Sequence, residues 1–195
     1  MMSCHAVKNP SCTLERPARR TYLCGGSMGG TSALIYIVLH PAEITGVPAL
    51  CPAADLPGYW RWAQEKMHQN PTLMDITHAI ARAYGTTPDR SEDLFSHHSA
   101  LAQRHRLTMQ VALAHGTADA IIPIDPTHQL AQILQGQAPV RYIQLAGGNH
   151  DAHLPLIPEP AQLDDRVLQM TMTASPCRCH RKFKGTAFII QCSSR

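Results

Sequence analysis

Three residues suited to acyl-transfer chemistry stand at separate points of the chain: Ser27 in "GGSMG", Asp119 in "HGTADAIIP" and His150 in "GGNHD". A serine hydroxyl is a poor nucleophile near neutral pH until an imidazole accepts its proton. The imidazole in turn needs a carboxylate at its other nitrogen to fix its orientation. Gly25-Gly26-Ser27-Met28-Gly29 has the form G-x-S-x-G and lies between a short apolar run and a segment of helical period, the context of a nucleophile raised on a sharp strand-to-helix turn. Such a turn strains the serine backbone and crowds its flanks, which accounts for the glycines, and the helix that follows points unpaired N–H groups at an incoming anion. A bystander serine in a flexible glycine loop is the competing reading. It weakens because the chain order is Ser, Asp, His, each member falling just after a predicted strand, where the loops of an open parallel sheet gather. Asp55, after the second predicted strand, and Asp151, next to the histidine, are rivals for the acid role. Asp151 suits it less, because adjacent loop residues rarely reach the same ring nitrogen. Of the 12 histidines, those other than His150, among them His97, His98, His105 and His128, stand in polar segments and read as surface residues.

The elements that must position these residues follow from apolar patterning. "TYLCG" (Thr21 to Gly25) reads as a buried strand, and Ala33, Leu34, Ile37 and Val38 give helical spacing between Gly29 and His40, stopped by Pro41. "VPALC" (Val47 to Cys51) reads as a second strand, against which Pro48 argues. A segment from Asp55 to His105 then turns helical, with "YWRWAQEKMHQ" and "LMDITHAIARAY" as its helices. "TMQVALA" (Thr108 to Ala114) is a third strand, Pro126 to Gln135 a helix, "VRYIQL" (Val140 to Leu145) a fourth strand, and Pro158 to Met172 a last helix. Strand and helix in alternation imply parallel strands with crossover helices, hence an α/β layer fold.

A chain of 195 residues, 44% hydrophobic and 16% charged, fits one globular domain, which at this size buries roughly 70% of the surface it exposes unfolded. The longest apolar run, Ala33 to Leu39, is far short of the roughly 20 residues that span a bilayer, and no apolar signal region opens the chain. Seven cysteines without framework spacing fit reduced thiols, so the protein is expected to be soluble and cytoplasmic. Cys177, Cys179, His180 and Cys192 do not have the spacing of a standard zinc finger, and no metal is expected. From Pro176 onward the chain carries Arg178, Arg181, Lys182, Lys184 and Arg195 without an acidic residue; this reads as a solvated end, with no nucleic-acid or membrane partner.

The set "GGSMGG", "CPAADL", "YG" with a later "HHSAL", "VALAHGTADAIIP" and "YIQLAGGNHD" resembles, in order, the C-terminal half of an α/β-hydrolase catalytic domain, most closely the prolyl oligopeptidase family and its esterase relatives. The resemblance runs from about Thr21 to about Leu154. It implies a mostly parallel sheet with flanking helices, Ser27 as nucleophile, His150 as general base, Asp119 as its orienting acid, the N–H of Met28 as one oxyanion donor, and no cofactor. The helical insert over 55–105 falls where such hydrolases carry a cap. Tyr59, Trp60 and Trp62, with Met67, would there wall an apolar substrate pocket, or simply pack a helix onto the core. The expected organisation is an irregular lead-in over 1–20, a catalytic domain over 21–172 and a basic, disordered tail over 173–195. Relatives place strands before the serine turn, and one of their loops supplies a second oxyanion donor; 26 residues precede Ser27, and none reads as that loop. With those strands missing, Thr21 to Gly25 would be an apolar sheet edge open to pairing with a second copy.

The expected activity is hydrolysis of a small-molecule carboxylic ester through an acyl-enzyme. A peptidase of prolyl oligopeptidase type is the alternative, disfavoured because no gating domain and no acidic anchor for a substrate amine is visible. The alternative of another class is an inactive remnant serving as an association module.

Overall fold

The computed structural model describes residues 19–152, 178–184 and 187–193, with side chains placed over 20–152. The elements run β1 (Arg19–Gly26), α1 (Met28–Leu39), β2 (Gly46–Leu50), α2 (Leu56–Lys66), α3 (Pro71–Tyr84), α4 (Glu92–His98), β3 (Gln110–Gly116), α5 (Asp125–Leu134), β4 (Val140–Leu145), β5 (Arg178–Lys184) and β6 (Ala187–Ser193). They build one sheet in the order β4-β3-β2-β1-β6-β5. The first four strands are parallel, while β6 lies antiparallel to both β1 and β5.

The central strands are covered on both faces, which is why they read as continuous apolar runs: every residue of β2 is buried, and so is every residue of β3 after Gln110. Ala33, Leu34, Ile37 and Val38 of α1 pack in one cluster with Val47 of β2, Val111 and Leu113 of β3 and Leu130 of α5. Pro48 sits inside a central strand at a tolerated place. The ladder from β2 to β3 runs unbroken from Gly46 to Leu50, whereas that from β2 to β1 skips Val47 and Pro48, so the missing N–H falls where pairing is interrupted.

A second apolar cluster, with Leu56, Tyr59, Ala63, Leu73, Phe95 and Ile122 in it, joins the helical insert to the loop after β3. Asn70 caps α3 by accepting from Thr72 N at 3.1 Å, and Gly85 ends it at φ 66°. The sequence reading found α2 and α3 and missed α4. This helix has only seven residues, too few for a period to show.

Two expectations are corrected. Residues 178–184 and 187–193, read as a disordered tail, form β5 and β6. As a result β1 is not a sheet edge: β6 pairs along it from Arg19↔Ser193 to Gly25↔Ala187, taking up the backbone N–H and C=O groups that self-association through that edge would have used. The lead-in before residue 19 and the helix read over Pro158 to Met172 lie outside the described residues, as do the side chains of the Cys177, Cys179, His180 and Cys192 set. Among the described residues no helix is long and apolar enough to cross a membrane.

Candidate active site

Ser27 occupies the single residue between β1 and α1 and adopts φ 54°, ψ −121°, a conformation that costs a non-glycine residue on the order of 1–3 kcal/mol and persists only where its surroundings enforce it. They do so here through hydrogen bonds on both sides of the peptide. Ser27 N donates to Leu50 O at 2.7 Å, and Ser27 O accepts from Thr31 N at 2.9 Å and from Thr31 Oγ1 at 3.1 Å. Thr31 Oγ1 in turn accepts from Ala53 N at 2.9 Å, tying the turn to the loop after β2. The turn is also too tight for side chains. A Cβ on Gly25 would lie 2.3 Å from the carbonyl carbon of Gly29, and one on Gly30 would lie 2.9 Å from Gly25 O. Met28 is the first residue of α1, so its N–H has no partner within the helix.

Asp119 and His150 are brought to Ser27 from the loops after β3 and β4. Ser27 Oγ lies 2.8 Å from His150 Nε2, and His150 Nδ1 lies 2.8 Å from Asp119 Oδ2. Because the carboxylate can only accept, the imidazole holds its proton on Nδ1 and leaves Nε2 to accept from the serine hydroxyl. The Asp119 side chain is fully buried and that of His150 is 17% exposed. The other carboxylate oxygen, Oδ1, accepts from Ile121 N at 2.8 Å and Ile122 N at 2.9 Å. Burial by itself would raise the Asp119 pKa, but hydrogen bonds from His115, His150 and the N–H groups of Ile122 and Ile121 outweigh it, and the carboxyl lies well below the usual range. The two loops also hold each other: Thr117 N donates to Leu145 O at 3.0 Å, Ala118 N to Gly148 O at 2.9 Å, and Gly147 N to Thr117 Oγ1 at 2.8 Å.

The rivals for the acid role are placed elsewhere. Asp55 stands at the N-cap position of α2, its carboxylate against Gly58 and making no side-chain cap hydrogen bond, and Asp151 is exposed. Tyr59 and Trp60 are buried at 3% and 4% exposure. Tyr59 packs in the second cluster and stacks with the half-buried Trp62, ring centroids 6.1 Å apart. Among the described residues, Tyr59 Oη and Trp60 Nε1 have no hydrogen-bond partner.

Cys51, at the end of β2, completes a set with Asp119 and His150 whose sulfur, oxygen and nitrogen atoms lie within 4.8 Å of one another. Those atoms are already committed to protons. Asp119 accepts hydrogen bonds at both oxygens, and burial pushes the Cys51 thiol up to about 11. A divalent ion would have to strip the thiol and displace the His150 Nδ1 proton, so the donor set does not fit a resident metal.

The sequence reading missed His115. It is fully buried, with Nε2 3.2 Å from Asp119 Oδ2 and 3.0 Å from Ile122 O.

No protein-family model matches the sequence, and no curated protein sequence matches it. Solved structures do. A Mycobacterium tuberculosis puromycin-hydrolyzing peptidase is 21% identical at a TM-score of 0.55, over 66% of this chain and 18% of that one. A puromycin hydrolase is 17% identical at 0.54, over 66% and 18%. Pyrococcus horikoshii acylaminoacyl peptidase is 13% identical at 0.53, over 68% and 20%. The chain thus spans at most 20% of the length of these three. The fold is that of an α/β hydrolase in part, four parallel strands with flanking helices.

Proposed function

We propose that this chain is a serine hydrolase that cleaves carboxylic esters through an acyl-enzyme on Ser27. The observation that carries the reading is the line of two 2.8 Å hydrogen bonds, Ser27 Oγ to His150 Nε2 and His150 Nδ1 to Asp119 Oδ2. In this mechanism Ser27 Oγ attacks the ester carbonyl while its proton passes to His150 Nε2. Asp119 balances the imidazolium charge, and the Met28 N–H, at the positive end of α1, donates to the oxyanion. The tetrahedral intermediate expels the alkoxide, which takes the proton back from His150. Water, activated by the same imidazole, then releases the acid and restores the serine.

An ester is favoured because an alkoxide is expelled more readily than an amide nitrogen, so ester cleavage demands less of the oxyanion donors. Amide cleavage is the second reading, since two of the similar structures are peptidases by name. Fluorophosphonate labelling tests the common step: the wild type should form an adduct that Ser27→Ala abolishes. A folded wild-type chain that takes no label would sink the hydrolase reading and favour an inactive association module. Turnover of p-nitrophenyl esters over aminoacyl-p-nitroanilides should follow; turnover of the anilides alone would make it a peptidase.

A further inference from the structure

His115 is the last residue but one of β3, and its ring is closed in from every side. Nδ1 lies 3.0 Å from Thr127 Oγ1 of α5, and that hydroxyl donates to Pro52 O of the loop after β2 at 3.2 Å. At the other side of the ring, Ile122 O and Asp119 Oδ2 can only accept, so Nε2 carries a proton; it donates to Ile122 O at 3.0 Å and faces Asp119 Oδ2 at 3.2 Å. The same Oδ2 receives His150 Nδ1. One carboxylate oxygen therefore stands between two imidazoles, one facing Ser27 and one buried.

Resting on the ester-hydrolase reading, we propose that His115 is a positioning residue for that reaction: its Nε2–H holds the Asp119 carboxylate in line with His150 and, by taking up part of its charge, moderates how strongly His150 draws the Ser27 proton. Structural closure of the loop alone would be served by the bond to Ile122 O. The bond to Asp119 Oδ2 adds a link to the proton-transfer line that loop closure does not need.

Among the described residues the ionisable groups around this pair come from four elements: Asp119 and His115 on β3 and its loop, His150 and the exposed Asp151 after β4, Cys51 after β2 and Tyr59 on α2. Burial raises the Cys51 thiol, and burial together with the Asp119 carboxylate raises the Tyr59 phenol. Raised above the ordinary values of such groups, both stay neutral over an assay range of roughly pH 5 to 9, while Asp119, held well below the usual carboxylate range, stays charged.

The test compares His115→Leu with His115→Gln, whose side-chain amide can still donate toward Asp119. With one donor removed the carboxylate is more basic and stabilises the His150 imidazolium more. In His115→Leu the acid limb of kcat/KM on p-nitrophenyl acetate should move up by about 0.5–1 pH unit, the equivalent of one hydrogen bond. Its kcat should fall about 10- to 100-fold with KM little changed, as for other groups that orient a reacting side chain. His115→Gln should recover most of both. Nitrogen chemical shifts of the His150 ring, followed against pH by NMR, read the same coupling without turnover. An inert wild type would thus overturn the hydrolase reading, while an upward shift of the His150 midpoint in the Leu variant would still support the link. A limb or midpoint that does not move in a folded His115→Leu overturns the proposal. If His115→Leu does not fold, His115→Met, which likewise offers no donor to Asp119, takes its place with the same two outcomes.

Discussion

Gly116 and Gly148 meet backbone to backbone: a Cβ placed on Gly116 would lie 2.3 Å from Gly148 O and 2.7 Å from Asn149 O. Gly116 leads into the Asp119 loop and Gly148 into the His150 loop, so this contact fixes how closely the two loops, and with them Asp119 and His150, approach each other. Gly116→Ala must push the loops apart, and the expected loss is about 1–3 kcal/mol of stability from overpacking. Because an error of about 1 Å in alignment can cost on the order of 100-fold in rate, kcat/KM on p-nitrophenyl acetate should fall further than stability alone explains. Among the described residues Gly136 has nothing within 4 Å of such a Cβ, so Gly136→Ala should leave both within error. Urea unfolding and steady-state kinetics of the two variants check this; equal behaviour would refute it.

At Ser27 the usual ranking of alanine over glycine should reverse. With φ at 54°, the backbone lies where a Cβ is penalised, and glycine loses that penalty. Ser27→Gly and Ser27→Ala should both abolish fluorophosphonate labelling, yet the glycine variant should be the more stable by about 1 kcal/mol, after its larger unfolded-state entropy is set against the relieved strain. Thermal unfolding of the pair decides it, and an alanine variant more stable than the glycine one by the usual margin would show that the turn holds no strain.

The depressed Asp119 carboxyl makes a statement about acid stability. On acidification the unfolded chain takes up the proton first, near the ordinary value of 3.8. The stabilisation is therefore complete above that value and is lost as pH falls below it toward the lower native pKa. Asp119→Asn cannot contribute it. At pH 7 this variant should be less stable by about 1–3 kcal/mol, the cost of disturbing a buried, fully bonded charged group, and slower by about 10⁴-fold, as when a catalytic histidine loses its orienting charge. Denaturant unfolding at pH 7, 5 and 3 should show the gap to wild type holding to pH 5 and narrowing by pH 3. A gap that is the same at pH 7 and pH 3 would contradict the assignment.

The strands around the site were legible because β2 and β3 are buried on both faces and read as apolar runs, and the fourth strand was read with the bounds that β4 has. Ser27, Asp119 and His150 stood out because each lies in the turn or loop that follows a strand legible in the sequence. His115 was misread for a related reason: grouped with the other histidines as standing in a polar segment, it reads as a surface residue, although it continues the run from Val111 to Ala114 and lies in the same buried strand. A histidine inside a fully buried strand must find partners, and that was the signal available. Nothing local marked β5 and β6. Their pairing depends on the open side of β1, a tertiary circumstance that a basic composition conceals.

Tyr59 separates packing from substrate binding. Its ring belongs to the second apolar cluster, but among the described residues its hydroxyl is buried without a partner, and an unpaired buried hydroxyl costs on the order of 1–3 kcal/mol. Tyr59→Phe should therefore raise stability by about 1 kcal/mol, well below that ceiling because part of the cost is already relieved by local adjustment. If the ring only packs, kcat and KM for short and long p-nitrophenyl esters should both stay as they are. If the hydroxyl serves a substrate oxygen, KM should rise several-fold for esters bearing a second acceptor and not for simple acetates. A variant less stable than wild type would mean that the hydroxyl has a partner in the folded chain, and would remove Tyr59 from the group of residues available to a substrate.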